Sequence, residues 1–125
     1  MKMTELEFEG AQPPIDSYGA GGFRIAGTFR EGSLLLGPQG AGRWSLESFD
    51  QLSDGHLGDF DGFSGAVDVI LIGAGAELRP LPASLRAQLE AAGFGVETMS
   101  TSSACRTYNV LLSEGRRVGA ALIAV

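Results

Sequence analysis

The sequence predicts an α/β fold: a single layered domain over residues 1–125 with a central mixed β-sheet, in which an N-terminal β-meander is followed by a β-α-β-α-β arrangement. Glycine-rich breaks separate short apolar runs in the first half of the chain, which is typical of a meander. Residues 67–72 form an almost continuous aliphatic run, the pattern of a strand buried on both faces. A helical pattern and another strand follow, so we expect parallel strands joined by a right-handed crossover.

The first half of the chain is expected to be mostly β-structure. The predicted strands are an edge strand at 5–8 and three meander strands at 15–18, 23–26 and 33–36. The turn between the last two is placed at Arg30-Glu31-Gly32, where polar residues and a glycine interrupt the apolar pattern. Residues 47–62 have apolar positions at helical spacing but are acidic and rich in glycine, so a loop or a short helical turn is expected there.

The second half gives clearer boundaries. A helix is predicted over 82–92, with two prolines near its start and Gly93 as its C-terminal cap. A second helix is predicted over 102–113, with Thr101 or Ser102 as its N-cap. The strands predicted to share one sheet with these helices packed on it lie at 67–72, 96–99 and 118–125.

Composition restricts the classes of function. The content of 44% hydrophobic residues suits a soluble globular protein, and no run approaches the roughly 18 apolar residues of a membrane span. The N-terminal residues lack the pattern of a signal peptide, so the protein is expected to be cytoplasmic. A single cysteine fits a reducing compartment. The net charge of −6 argues against binding to nucleic acid and against direct docking onto anionic lipid.

Gly73-Ala74-Gly75, directly after the buried strand, has the start of a dinucleotide-binding fingerprint. The third glycine position holds Leu78, however, and residues 79–82 separate the turn from the predicted helix. A pyrophosphate would therefore lack the helix N-terminus on which that fingerprint depends. A plain glycine turn is the favoured interpretation.

Other catalytic and metal-binding patterns fail for similar reasons. Residues 62–66 resemble a nucleophile elbow but lack its second glycine and precede a strand. Residues 59–62 lack the spacing of a calcium loop. The single histidine, His56, has no nearby cysteine with which to build a zinc site. We therefore predict no catalytic residue, no metal and no cofactor, and we do not expect an enzyme.

Cys105 is the strongest single candidate for a reactive side chain. It falls in the first turn of the second helix beside Arg106, where the helix dipole and the cation both favour a thiolate. It also shares an apolar stripe with Tyr108 and Leu112. Because unpaired cysteines are commonly part of the core, a buried structural thiol is the favoured interpretation.

A polar crevice is a further possibility at the carboxyl ends of the parallel strands, the edge at which open α/β sheets bind ligands. Arg106 and Asn109 lie on one flank of the second helix and would face it. The candidate ligand-binding residues are Gly73, Gly75, Thr101, Cys105, Arg106 and Asn109. The alternative, equally open, is that Asn109 caps a neighbouring turn and Arg106 forms a surface ion pair.

The most specific pattern lies near the end of the chain. It comprises Met99, Thr101, Ala104-Cys105, Thr107-Tyr108-Asn109, Leu111, Glu114-Gly115-Arg116 and the hydrophobic run 120–125. This pattern resembles the signature of the family of small proteins related to mitochondrial complex I assembly factor 3 and the adipogenesis-associated domain protein. The match is specific over 67–125 and looser over 18–44.

The resemblance implies an α/β layered domain with a central mixed sheet and a non-catalytic role in assembling a membrane respiratory complex. Since no transit peptide is evident, we expect a bacterial member. Its partners would be subunits of that complex, and it would reach the inner membrane only through them. The alternative function is a small-molecule or anion-binding domain that uses the crevice.

An interaction domain needs a docking surface, and such surfaces are anchored by exposed aromatic and arginine side chains. The candidates are Tyr18, Phe23 and Arg24 in the glycine-rich N-terminal part, and Arg116 and Arg117 before the last strand. The alternative is that the aromatic residues belong to the core and the arginines are merely solvated.

Overall fold

A computed structural model of the chain describes residues 6–8 and 10–125. The strands are β1 (Leu6–Glu7), β2 (Ile15–Gly19), β3 (Gly22–Ile25), β4 (Thr28–Glu31), β5 (Leu34–Gly37), β6 (Gly40–Arg43), β7 (Val69–Gly73), β8 (Gly95–Met99) and β9 (Val118–Leu122). The α-helices are α1 (Ala83–Ala91) and α2 (Thr101–Ser113), and two 3₁₀ helices span Phe49–Gln51 and Asp54–Phe63.

Within the described residues, the main sheet has six strands in the order β1-β6-β5-β9-β7-β8. Strand β7 runs parallel to both β8 and β9, whereas β5 is antiparallel to β9 and β6. The mixed sheet is therefore confirmed, and the three strands predicted to share it do so. Strand β9 lies in the centre, which explains why its sequence is apolar throughout.

Alternate residues of β7 face two separate cores. Ile70 and Ile72 pack with Leu85 and Leu89 of α1, together with the 3₁₀ segment. Leu71 points to the opposite face and packs with the stripe of α2 that contains Tyr108. Because helices cover both faces of this strand, a continuous aliphatic run is what the position requires.

The predicted meander is corrected in its third strand. Strands β2, β3 and β4 form a separate antiparallel sheet, so this strand is Thr28–Glu31 and not 33–36. The chain reverses at Ala26 and Gly27, whose φ values of 51° and 81° allow a two-residue turn of the kind that fits strand twist. Arg30 and Glu31 are thus strand residues rather than a turn.

Strand β5, part of which was assigned to the meander, belongs to the main sheet. It pairs with β9 on one side and with β6 on the other, and all of its residues are buried. Strand β6 was not predicted, because its sequence is mostly glycine and alanine. The predicted edge strand is present as β1, which pairs with Gly40 and Ala41, while Glu5 lies outside the described residues.

The acidic segment 47–62 is more ordered than a loop. Ser48 and Ser53 each form a capping box at the start of a 3₁₀ helix. Phe60 and Phe63 of the second 3₁₀ helix are buried in the core on one face of the main sheet, whereas its Asp54 and Asp61 are exposed. The segment therefore covers one face of the main sheet beside α1.

The boundaries of the α-helices differ slightly from the predicted ones. Gly93 follows α1 with a φ of +97°, as expected of its capping role. The N-cap of α2 is Ser100, whose Oγ accepts from the Ser103 N–H at 3.3 Å. The predicted caps, Thr101 and Ser102, are instead the first two residues of the helix, and the buried Thr101 side chain bonds to other segments.

Candidate functional site

Thr101 stands at the carboxyl edge of β7 and joins three segments of the chain. Its Oγ1 accepts from the Gly75 N–H at 3.0 Å and donates to the Ile123 carbonyl at 2.7 Å. Its own N–H donates to the Gly75 carbonyl at 2.8 Å. The residue is fully buried, so these bonds connect the glycine turn, α2 and the end of β9.

Gly73 and Gly75 are needed for this close approach. A Cβ on Gly73 would lie 2.9 Å from both Cα and Oγ1 of Thr101 and 3.0 Å from the Leu122 side chain. Gly75 has a φ of +106°, which favours glycine. The structure brings Gly73, Gly75 and Thr101 together, but their polar groups bond to one another and to the end of the terminal strand. Ligand binding at this edge stays a prediction that these contacts do not favour.

Cys105 is 2% exposed and packs within the core beneath α2. Burial raises the pKa of its thiol to about 12, and the opposing effect of the nearby Arg106 guanidinium is smaller. A thiolate is therefore scarce at neutral pH. These features agree with a structural thiol rather than a reactive one.

Asn109 faces the three-stranded sheet instead of a ligand crevice. Its Oδ1 accepts from the Ile15 N–H at 2.8 Å, and its Nδ2 donates to the Ile15 carbonyl at 2.9 Å. The sequence left open that Asn109 caps a neighbouring turn. The structure instead shows its amide bonded to the backbone of a strand distant in sequence. Asn109 thus attaches the small sheet to α2.

Arg106 and Tyr18 were assigned to different candidate sites, and the structure places them in contact. Arg106 Nη1 lies 3.4 Å from the Tyr18 hydroxyl, and its Nη2 donates to the Ser103 hydroxyl at 3.3 Å. Tyr18 is 39% exposed, and Val110, one helical turn beyond Arg106, is 54% exposed. We call Tyr18, Arg106 and Val110 the Tyr18–Arg106 surface.

Val110 is not among the surface candidates named from the sequence, although its position in the helical pattern indicates exposure. It falls outside the helical stripe formed by Cys105, Tyr108 and Leu112, so an outward position could have been expected. Tyrosine and arginine are enriched at the centre of protein interfaces, and Val110 adds exposed apolar area on the same face of α2 as Arg106.

Phe23 and Arg24 do not join this surface. The exposed position predicted for Phe23 is wrong, because its ring is fully buried against α2 and the main sheet. Arg24 points to the opposite side of β3 and donates to the Gly27 carbonyl at 3.0 Å. Its cross-strand neighbour there is Phe29, which is 41% exposed.

Arg116 and Arg117 are both exposed in the turn between α2 and β9. Arg117 forms a two-point contact with Asp68, from Nη2 to Oδ1 at 2.9 Å and from Nε to Oδ2 at 3.3 Å. This hydrogen bond lowers the pKa of Asp68 and raises that of Arg117. Because both groups are solvated, the pair adds little to stability. Arg116 is the less constrained of the two.

A pocket that the sequence did not indicate lies between the second 3₁₀ helix and the end of α1. Its volume is about 160 Å³. The lining residues are the apolar Leu57, Phe60, Leu89 and Phe94 and the exposed Asp61, Ser64, Gln88 and Ala92. It is on the face of the main sheet opposite α2.

Neither a metal cluster nor a membrane-spanning helix is found in residues 6–8 and 10–125. Within them, no three side chains of histidine, cysteine, aspartate or glutamate are grouped so as to hold a metal ion. No described helix combines the length and the apolar character needed to span a bilayer.

Comparison with known proteins gives the family. The chain belongs to the protein family of unknown function DUF498/DUF598, whose model matches residues 15–123. It is 49% identical over 123 residues to an uncharacterised protein of Rhodobacter capsulatus, covering 98% of this chain and 93% of that protein. A crystal structure from Bartonella henselae, described as an outer membrane protein, is 39% identical with a TM-score of 0.84, covering 92% and 97% of the two chains.

The predicted resemblance to complex I assembly factors is confirmed. The chain is 31% identical over 123 residues to human NADH dehydrogenase [ubiquinone] 1 alpha subcomplex assembly factor 3, covering 98% of this chain and 67% of that protein. It is 32% identical over 109 residues to the mouse protein, covering 87% of this chain and 59% of that protein. The chain therefore spans about three fifths to two thirds of these relatives.

Proposed function

We propose that this protein is a non-catalytic interaction domain that assists the assembly of a membrane respiratory complex. The observation that carries the proposal is the similarity to complex I assembly factor 3, which extends over most of this chain. The interior contacts support it, because the side chains that could take part in a reaction are buried. The Cys105 thiol packs in the core, and the Thr101 hydroxyl is hydrogen-bonded to backbone.

The Tyr18–Arg106 surface is the docking site that we assign to this function. Tyrosine and arginine are the side chains that most often dominate binding energy at interfaces. The contact between them is long at 3.4 Å and exposed, so a partner can replace it without opening the fold. Val110 adds an apolar side chain on the same face of α2. The three side chains therefore supply ring surface, hydrogen-bond donors and an apolar contact within one small area.

The partner that follows from this proposal is a protein, namely one or more subunits of the respiratory complex. The net charge of −6 disfavours direct attachment to anionic lipid, so the domain would reach the inner membrane from the cytoplasm through that partner. Arg116, in the exposed turn before β9, is a second contact that the proposal allows.

Affinity purification from detergent-solubilised membranes, with quantitative mass spectrometry, tests the assignment. The test variant carries Tyr18→Ala and Arg106→Ala. The matched control carries Arg24→Ala and Phe29→Ala, which removes an arginine and an exposed aromatic residue from the opposite side of the same small sheet. We expect the wild type and the control to recover the same subunits, and the test variant to recover about fivefold less or worse. Equal recovery by all three proteins would remove the Tyr18–Arg106 surface from the account.

A further inference from the structure

The pocket beside α1 has a size that limits what can occupy it. At about 160 Å³ it is well below the roughly 300–1,000 Å³ of pockets that bind cofactors and drug-sized ligands. Two of its apolar residues, Phe60 and Leu89, are almost fully buried, while its polar residues are exposed. An apolar base with an exposed polar margin is the form of a pocket that receives one anchoring side chain of a protein partner.

The charge around the pocket limits the occupant further. The segment that forms one wall, residues 45–64, contains five carboxylates and no lysine or arginine. Three of these carboxylates have partners: Asp50 pairs with Arg79, Asp54 accepts from Ser84, and Asp59 accepts from Trp44.

Asp61 is different, since it is exposed and, among the residues that the structure describes, it is the one charged residue lining the pocket. In the part of the chain that the structure describes, no side-chain hydrogen bond or ion pair engages its carboxylate. A partner with a basic group next to its apolar anchor would supply the missing counter-charge.

We propose that this pocket docks a protein segment in which a leucine-sized apolar side chain is flanked by lysine or arginine. The apolar side chain packs on Phe60 and Leu89, and the basic neighbour pairs with Asp61. The proposal rests on the proposed function only in taking the partner to be a protein. The site lies on the opposite face of the main sheet from α2, so the two surfaces can be tested separately.

The test uses the purified full chain and short peptides, observed by ¹⁵N–¹H NMR. The probe is acetyl-Gly-Lys-Leu-Lys-Gly-amide, and its matched counterpart has glutamate in place of both lysines. We expect the lysine peptide to shift the amide signals of Leu57, Leu89 and Phe94 saturably, with a Kd of about 1 mM or below. The glutamate peptide should bind at least about tenfold more weakly, because its charge has the same sign as Asp61.

Three variants locate the binding. Asp61→Asn should weaken binding of the lysine peptide about fivefold. Any gain in affinity for the glutamate peptide should not exceed that factor. Ala92→Trp places a large ring at the pocket and should abolish binding. Ala91→Trp is its control, because Ala91 is also exposed, is the adjacent residue and is not among the residues lining the pocket.

Hexylammonium chloride is titrated in parallel to separate a small cation from a peptide. Saturation by the peptide with weaker binding of hexylammonium supports docking of a protein segment. Tighter binding of hexylammonium, equal binding of both peptides, signal changes away from the pocket or no binding at all would each overturn the proposal. Because these titrations need no respiratory complex, their failure is distinct from a failure of the assembly role.

Discussion

Asn109 on α2 holds the backbone of Ile15 on β2 through both atoms of its side-chain amide, at 2.8 and 2.9 Å. This pair fixes how the small sheet is aligned with the helix. Tyr18 lies three residues after Ile15, and Arg106 lies three residues before Asn109, so the same alignment brings these two side chains into contact. A partly buried polar contact thus positions the exposed surface that we assign to partner binding.

Replacing Asn109 should loosen the small sheet. Asn109→Ala leaves the Ile15 N–H and carbonyl without their partner in a partly buried position, so we expect the free energy of unfolding to fall by about 1–3 kcal/mol. Urea denaturation measures this loss. Ser113→Ala is the control, since its exposed hydroxyl bonds only within α2, and it should change stability much less. Equal stability of the two variants would show that the amide pair does not hold the sheet.

The Thr101 hydroxyl should contribute more to the stability of the fold than the Thr101 methyl group does. Thr101→Val keeps the shape of the side chain but removes the partner of two buried backbone groups, so we expect a loss of about 2 kcal/mol or more. Thr101→Ser retains the hydroxyl and should lose clearly less. Hydrogen exchange at the Gly75 amide should accelerate in the valine variant alone. If serine and valine destabilise the protein equally, packing rather than hydrogen bonding explains the residue.

Gly119 should not tolerate a side chain. A Cβ at this position of β9 would lie 2.6 Å from the Phe63 ring, so Gly119→Ala should cost about 1–3 kcal/mol of stability through overpacking. Gly55→Ala is the comparison, because a Cβ there would meet only the Ser53 hydroxyl at 3.5 Å. The double variant Gly119→Ala, Phe63→Leu should lose less stability than the sum of the losses of the two single variants. Additive losses would argue against the ring contact as the cause.

Alkaline pH should destabilise the fold through Cys105. Its ordinary pKa of 9.0 is raised to about 12 in the folded protein, so the folded state retains a proton that the unfolded state releases. The stabilisation is complete below about pH 9 and declines as the pH rises towards 12. Burial also raises the pKa of Tyr108, which acts in the same direction. Urea midpoints across this range should fall less steeply for Cys105→Ala than for the wild type.

Thiol labelling provides an independent check on Cys105. At neutral pH the native protein should react with iodoacetamide far more slowly than the urea-unfolded chain, because the thiol is both buried and protonated. Comparable rates in the two states would contradict the structural role of this residue.

The central strands could be predicted from the sequence because strands buried on both faces need a continuous apolar sequence. The aliphatic run before Gly73 is what a strand covered on both faces requires, and the glycine after α1 marks the end of that helix. The third meander strand was misplaced because the reversal at Ala26 uses a left-handed backbone at a residue that rarely adopts one. The buried run of β5 then resembled a hairpin partner, although it pairs with the distant β9.

The candidate sites were harder to predict because they depend on contacts between remote parts of the chain. Arg106 and Tyr18 are 88 residues apart, and no local pattern connects them. Phe23 carried the same aromatic signal as Tyr18, and the two residues are cross-strand partners on one face of the small sheet. Phe23 belongs to the middle strand and is fully buried, whereas Tyr18 belongs to an edge strand and is 39% exposed. The pocket at Asp61 depends on a 3₁₀ helix whose glycine-rich sequence is typical of a loop.

The most direct test of the central claim is the amount of assembled NADH–quinone oxidoreductase in membranes of cells that lack this protein. Blue-native electrophoresis with an in-gel NADH dehydrogenase stain measures it. We expect these membranes to lose the full-size complex and to accumulate smaller assemblies. The wild type and the Arg24→Ala, Phe29→Ala control should restore the complex, whereas the Tyr18→Ala, Arg106→Ala variant should not. Normal amounts of the full-size complex in cells without the protein would contradict the assembly role.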